Sequence, residues 1–488
     1  MSRCSIRIRA LNSKPIRSDG DYVLYWMIAQ RRLRHNFALQ RAVQWARDLS
    51  RPLLILEALR CDYPWASDRL HRFVVDGMID NIRALATSPA LYYPYLEPSR
   101  GAGKGLLEAL AARAAVVVTD DYPAFFLPRM AAAAAARLAV KVEAIDGNGL
   151  LPLRASDRIF TTAYSFRRTL QKHLLNHLDP APLPDPLNHL PQVPAAEPEA
   201  GIIRRWPRLN AGDLLRAAGD LGAFPIDHGV PPGAVPGGAA AAERRLQQFI
   251  AEQLERYGSD RNHPDRDGAS GLSPYLHFGH IAAHQVFSAI TEHQGWSPAA
   301  VSFKADGRRQ GWWGMSESAE AFLDQLITWR EVGFNRCARQ VDYDRFESLP
   351  AWAQDTLHQH RRDPRPHRYR LDEFAQAGTH DPPWNAAQTQ LVRDGTIHNY
   401  LRMLWGKKIL YWSPSPEEAL EIMLELNNKY ALDGRDPNST SGSFWILGRY
   451  DRAWGPERPI FGKVRFMSSK NTAAKVRLQR YMQQYAAD

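Results

Sequence analysis

Short apolar runs alternate with longer amphipathic stretches in the first third of the chain. The apolar runs predict strands, at residues 21–26, 52–59, 114–119 and 139–145. The stretches between them carry helical spacing and predict helices, near residues 27–49, 67–86 and 124–138. Strands that alternate with helices indicate βαβ crossovers and a parallel sheet covered on both faces. We therefore expect an α/β domain over residues 1–178.

Proline interrupts this pattern in the middle of the chain. Residues 179–200 are rich in proline, which removes hydrogen-bond donors and disfavours regular structure. A second break, rich in proline and glycine, lies at residues 229–238, so we expect an interdomain linker over 179–238. Beyond it no convincing strand pattern remains, and a 3.6-residue period dominates. The sequence therefore predicts an all-helical domain over residues 239–488.

Composition and charge narrow the class of protein. Hydrophobic residues make up 44% of the chain and charged residues 23%, which is typical of a globular protein. No apolar run approaches the ~20 residues that a membrane-spanning helix needs, and no apolar signal core stands at the start, so we expect a cytoplasmic protein. The net charge of +10 favours a polyanionic partner such as nucleic acid. Three widely spaced cysteines fit neither a disulfide framework nor a zinc site, and we predict no metal site.

Aromatic residues offer the first candidate chemistry. Of the 14 tryptophans, 11 lie after residue 200. Trp405 and Trp412 are seven residues apart and fall on one face of a predicted helix, and Trp384 begins the helix before it. Two interpretations stay open at this point. The three rings are either part of a packed core or a relay that passes single electrons towards a redox cofactor.

Polar residues near these tryptophans suggest ligand contacts. Arg402 lies on the same side as Trp405, and a buried arginine needs a carboxylate partner such as Asp433. Asn427 stands on the apolar face of its helix, where a buried amide must bond to protein or to a ligand. Ser273 before a proline predicts the N-cap of a helix, whose N-terminus can bind an anion or be simply capped.

Several segments together closely resemble class II cyclobutane pyrimidine dimer (CPD) photolyases of the photolyase/cryptochrome family. They stand in the family's order: SGLSPYLHFG from Ser270, NAAQ from Asn385, HNYLRMLWGKKI from His398, LNNKYALDGRDPN from Leu426 and IFGKVRFM from Ile460. The resemblance implies an α/β antenna domain and a helical domain that binds FAD. It also implies a lyase that repairs UV-damaged DNA. There, light-excited reduced flavin lends an electron to a dimer flipped out of the duplex.

The resemblance assigns roles to individual residues. Those matching the family's FAD contacts are Tyr257, Ser270, Gly271, Leu272, Ser273, Arg402, Asn427 and Asp433. Those matching its electron-transfer chain are, from the flavin outwards, Trp405, Trp384 and Trp412. Those matching its lesion pocket are Gln325, Trp329, Met403 and Trp445. Among these, the resemblance pairs Arg402 with Asp433 beside the flavin ring and turns Asn427 towards the flavin N5 atom.

The sequence departs from the family pattern on the side of the substrate. Gln325 stands where the family usually has Glu, and a glutamine hydrogen-bonds without sharing a proton as a carboxylic acid does. Ser439 replaces a glycine, and Tyr450 replaces a histidine. These changes keep two alternatives open, a flavin photoreceptor and a (6-4) photolyase. Some class II relatives hold a deazaflavin antenna and others hold none. We expect a monomer.

Overall fold

The computed structural model describes residues 3–486, so the first two and last two positions of the predicted domains lie outside it. The strands are β1 Ile8–Ala10, β2 Tyr22–Trp26, β3 Leu53–Leu59, β4 Leu91–Leu96, β5 Ala114–Asp120 and β6 Val142–Ile145. The first helices are α1 Phe37–Leu49, α2 Asp68–Ala84, α3 Leu106–Ala111, α4 Leu127–Arg137, α5 Ala163–His173, α6 Leu175–Leu178, α7 Ala200–Arg205, α8 Ala211–Gly219, α9 Ala239–Gln248, α10 Tyr257–Asp260, α11 Ser273–His277 and α12 Ala283–His293. The later ones are α13 Glu317–Leu323, α14 Arg330–Arg339, α15 Ala351–Gln359, α16 Leu371–Ala375, α17 Pro382–Asp394, α18 Asn399–Trp412, α19 Pro416–Tyr430, α20 Pro437–Ile446, α21 Ser469–Lys475 and α22 Gln479–Gln484.

The six strands form one sheet in the order β1-β6-β5-β2-β3-β4. Every neighbouring pair is parallel except β1, which runs antiparallel to β6 at the edge. The four strands predicted from the sequence are present, and β2 and β5 are buried at every position, as expected for central strands. The sequence pattern missed β1, which has three residues, and β4, where Pro94 lowers the strand signal.

Helix α1 begins at Phe37, ten residues after the predicted start. The loop before it is held by a carboxylate from another strand. The backbone N–H groups of Ile28, Ala29 and Gln30 all donate to one Asp120 oxygen, at 2.9, 2.7 and 2.9 Å. Those bonds satisfy backbone donors that a helix would otherwise use, and Asn36 then caps α1 with its side chain.

The chain forms two compact units that interleave along the sequence. The first comprises residues up to 156 together with 174–246 and 272–289, and the second comprises 157–173, 247–271 and the residues from 290 onwards. The domain bounds expected from the sequence, 1–178, 179–238 and 239–488, stay a prediction. Helices α7 and α8 lie within the region expected to be a linker, and α8 packs against α2 through buried Leu214.

One buried histidine of the first unit is held without charge. The His280 ring stacks on Phe73, with 5.1 Å between ring centroids, and its Nδ1 accepts the Gly238 N–H at 2.9 Å. Burial lowers the pKa of His280 to about 3. The residue is therefore a neutral part of the core at physiological pH.

The second unit is helical. In the described part of the chain no strand follows β6, which agrees with the predicted all-helical half. The helix expected over residues 241–257 is broken: α9 ends at Gln248, and a π-helical turn spans Phe249–Gln253. Phe249 and Tyr257 both pack on Phe322, at 4.7 and 5.4 Å between ring centroids. The fold class expected from the sequence, an α/β domain followed by helices, is confirmed.

Helices α14 and α20 of the second unit approach closely at a glycine. A Cβ atom on Gly333 would lie 2.7 Å from the carbonyl oxygen of Pro437, whereas one on Gly442 would meet nothing within 4 Å. Only glycine therefore fits at the crossing point without a backbone shift. Among residues 3–486, no helix has both the length and the apolar character needed to span a membrane.

Candidate functional site

The three tryptophans expected to carry electrons lie together in the second unit. Trp384 on α17 and both Trp405 and Trp412 on α18 are fully buried, each at most 1% exposed. The Trp384 Nε1–H donates to the backbone carbonyl of Trp405 at 2.9 Å, and the Trp384 and Trp412 ring centroids are 5.9 Å apart. The rings are thus part of a packed core and at the same time close enough in space to form one row, so both interpretations describe them.

A glutamine that the sequence analysis did not single out holds the first tryptophan of this row. The Trp405 Nε1–H donates to the Gln388 Oε1 atom at 2.8 Å, and both residues are buried. Gln388 lies one helical turn after Trp384 on α17, within the NAAQ segment. A polar residue at that spacing in an otherwise apolar helix face was the available signal.

Arg402 and Asp433 form the ion pair that the resemblance implied. The Arg402 Nη2 atom lies 2.9 Å from Asp433 Oδ1, with both side chains less than one-fifth exposed. The Nε atom of Arg402 and both ring nitrogens of His398, one turn earlier, are buried and find no hydrogen-bond partner within residues 3–486. Burial lowers the pKa of His398 to about 4, so its ring is neutral and offers one donor and one acceptor.

These free polar atoms fit a ligand such as FAD. Buried donors without partners are costly unless a ligand or water satisfies them, and a flavin nucleotide is rich in acceptor oxygens and nitrogens. His398 is a further candidate contact that the sequence analysis did not assign, although it stands at the start of the HNYLRMLWGKKI segment. The place of Arg402 and Asp433 beside a flavin ring stays a prediction.

Asn427 has a partner within the protein. It lies buried on α19, and its Nδ2 donates to the Ser439 hydroxyl of α20 at 2.8 Å. Ser439 is one of the departures from the family pattern, so the glycine-to-serine change supplies the bond. The buried amide therefore does not require a ligand to be satisfied, and its orientation towards a flavin stays a prediction.

The residues assigned to the lesion pocket lie on three helical segments. Trp329 and Trp445 stack on each other, with 4.6 Å between ring centroids and 26° between planes. Gln325 lies one turn before Trp329 on the π-helical turn Asp324–Trp329, and it is half-buried, like Met403 on α18. The structure thus brings the two tryptophans together, and both keep part of their surface open to solvent.

The turn that carries Gln325 and Trp329 is anchored by a buried ion pair. Arg167 of α5 makes two parallel bonds to the Asp324 carboxylate, at 2.7 and 3.0 Å. The side chains are 7% and 9% exposed. A bidentate pair of this kind fixes both position and orientation, so Arg167 positions the start of the turn.

The segment expected to hold the FAD phosphates differs in detail from the prediction. Ser273 was expected as the N-cap of its helix, but its own backbone is helical, Leu272 is the N-cap, and no side chain caps the helix. Gly271 adopts a φ of +65°, which favours glycine. Tyr257 is buried, with the Arg261 guanidinium 5.6 Å from its ring centroid. Contacts of Ser270, Gly271, Leu272 and Ser273 with phosphates stay a prediction.

Comparison with known proteins identifies the family. No protein-family model matches the chain. The chain is 34% identical over 480 residues to a deoxyribodipyrimidine photo-lyase of Methanothermobacter thermautotrophicus, covering 98% of this chain and 97% of that protein. It is 33% identical over 481 residues to the protein of the same name in Oryza sativa subsp. japonica, covering 95% and 87%.

A solved structure shows the same fold. The class III photolyase of Agrobacterium tumefaciens superposes with a TM-score of 0.65 at 16% identity, over 96% of this chain and 86% of that one. At this identity the likeness concerns the fold alone. Because the sequence identity to the two photo-lyases extends over nearly the whole chain, this protein belongs to the photolyase/cryptochrome family as a deoxyribodipyrimidine photo-lyase homologue, in a family of FAD-dependent, light-driven DNA-repair lyases.

Proposed function

We propose that this chain is a class II photolyase that splits cyclobutane pyrimidine dimers in DNA with blue or near-UV light. The observation that carries the proposal is the identity of about one-third to deoxyribodipyrimidine photo-lyases along nearly the full length of the chain. Bound FAD supplies the light-driven electron chemistry. The net charge of +10 supports binding to the phosphate backbone of DNA, which also predicts salt-sensitive affinity.

In this proposal the chain's own residues bind, orient and insulate the cofactor. Arg402 and His398 donate hydrogen bonds to it from buried positions, and Asp433 holds the Arg402 guanidinium in place. Ser439 keeps the Asn427 amide in one orientation. The row of Trp405, Trp384 and Trp412 supplies the electrons that bring the cofactor to its reduced form.

Other residues receive the lesion. The stacked faces of Trp329 and Trp445 are half-buried and offer an aromatic platform for flipped-out bases, since stacking on tryptophan tolerates any base. Gln325 lies one turn from that platform and donates or accepts hydrogen bonds to the dimer. The Met403 thioether packs under the pyrimidine rings.

A flavin photoreceptor is the second candidate, and two observations favour it. Gln325 lacks the acid that the family usually has there. Tyr450 replaces a histidine and is buried at a φ of +63°, with its hydroxyl 3.3 Å from that of Ser441. A tyrosine held in this way does not titrate near neutral pH as histidine does. Loss of both groups would weaken repair while leaving flavin binding intact.

Repair of defined lesions tests the proposal. Purified, FAD-loaded protein would be illuminated with one oligonucleotide carrying a thymine dimer and another carrying a (6-4) product, with dark controls. We expect restored thymines in the dimer substrate only, in the light only. Gln325→Glu should repair faster and Gln325→Leu more slowly, because only the first keeps a hydrogen-bonding group. Repair of neither lesion by a protein that binds FAD would support the photoreceptor, and repair of the (6-4) lesion would support that alternative.

Three further points complete the proposal. The α/β unit either binds a deazaflavin antenna or binds none, and an excitation spectrum of repair after loading with deazaflavin decides between them. The chain acts as a monomer, which light scattering of the purified protein tests. It works in the cytoplasm, where a fluorescent fusion would be seen.

A further inference from the structure

The row of tryptophans does not end at the protein surface. Trp412, its expected outermost member, is 0% exposed. Two further rings lie against it: Tyr369, 5.4 Å away between centroids, and His380, 5.2 Å away. Tyr369 is half-buried and His380 is exposed, so these two residues connect Trp412 with solvent. Phe374 also touches the row, but it has no proton to release.

Tyr369 and His380 are joined by two hydrogen bonds. The backbone N–H of His380 donates to the Tyr369 oxygen at 3.1 Å, and the Tyr369 oxygen lies 2.6 Å from His380 Nδ1. Because the phenolic oxygen already accepts from the backbone, its own proton is free to point at Nδ1. The bond is thus aligned for transfer of that proton to the imidazole.

The surroundings of His380 keep its imidazole ready to accept a proton. Desolvation and the nearby His367 and Lys408 lower the pKa of His380, while Asp381 acts in the opposite direction. The ring is therefore neutral at physiological pH. His367 is exposed and lies over His380, with 3.8 Å between ring centroids, which places a second imidazole between the pair and solvent.

We propose that Tyr369 is the terminal electron donor of the tryptophan row and that His380 is its proton acceptor. The oxidised Trp412 takes one electron from Tyr369, and the phenolic proton moves to His380 Nδ1. Trp412 returns to its neutral, reduced form, Tyr369 becomes a neutral radical, and His380 becomes an imidazolium. The oxidising equivalent then sits at a half-exposed site, where it cannot easily return to the cofactor. This inference rests on the proposed function, because light-driven reduction of bound FAD generates the oxidised tryptophan.

Electron paramagnetic resonance of the illuminated, FAD-loaded protein tests the inference. The variants are Tyr369→Phe, which keeps the ring and removes the hydroxyl, and His380→Gln, which removes the imidazole. Tyr411→Phe is the matched control, since Tyr411 is a half-buried tyrosine of α18 that packs on Phe461 instead. We expect a tyrosyl signal in the natural protein and in Tyr411→Phe, none in Tyr369→Phe, and slower formation in His380→Gln.

A second measurement needs no substitution. In protein produced with ring-deuterated tyrosine, the signal should narrow, because the unpaired spin couples to ring hydrogens. A signal that is identical in the natural protein and in Tyr369→Phe, or that deuteration leaves unchanged, would overturn the inference while flavin photoreduction still supports the proposed function. A natural protein in which light does not reduce bound FAD at all would instead refute the tryptophan row, and the inference with it.

Discussion

The ion pair between Arg167 and Asp324 allows a quantitative test of how the lesion-binding turn is held. Replacing Arg167 by Met keeps most of the side-chain volume but leaves the Asp324 carboxylate, 9% exposed, without its cation. Breaking a buried pair from one side costs about 3–5 kcal/mol, because an uncompensated charge stays in the interior. We therefore expect Arg167→Met to lower the free energy of unfolding by about that amount. The double variant Arg167→Met/Asp324→Leu should be less destabilised than Arg167→Met alone.

Guanidinium chloride unfolding of the four proteins of this double-mutant cycle measures the coupling. Fluorescence and far-UV circular dichroism should be followed together, because the chain has two compact units and a single transition cannot be assumed. The reasoning predicts a coupling energy of at least about 2 kcal/mol. If the two single substitutions add up in the double variant, the pair does not act as a unit and the argument for Arg167 as a positioning residue fails.

Three other predictions follow from buried contacts. Trp405→Phe leaves the Gln388 amide oxygen unpaired, so it should cost about 1–3 kcal/mol of stability and abolish light-driven FAD reduction; unchanged photoreduction would refute the relay. Gly333→Ala should cost about 1–3 kcal/mol and weaken lesion binding, whereas Gly442→Ala should leave both nearly unchanged, as thermal melts and titration with dimer-containing DNA would show. Stability should fall as pH drops from about 6.5 towards 3, because unfolded His280 binds a proton that the folded form excludes. His280→Gln should flatten that part of the pH profile of unfolding, and an unchanged profile would contradict the assignment.

Local patterns determined the order of elements and the family. Alternating apolar runs and amphipathic stretches predicted four of the six strands and the change to helices after residue 240, because periodicity reports directly on which positions are buried. Long motifs in the family's order identified the photolyase/cryptochrome family, and the relatives confirm it. The Arg402–Asp433 pair was also foreseen, because a buried arginine needs a carboxylate and the motifs named one.

The partners of the buried polar groups were decided only by the tertiary structure. Asp120 shapes the loop before α1, Ser439 holds Asn427, and Gln388 holds Trp405, each through a hydrogen bond between separate elements of the fold. Sequence spacing carries information about neighbours along one helix or strand, and none about which side chain a different element brings across the core. For the same reason the burial of Trp412, and its contact with Tyr369 and His380, followed only from how α18 packs against the segment before α17.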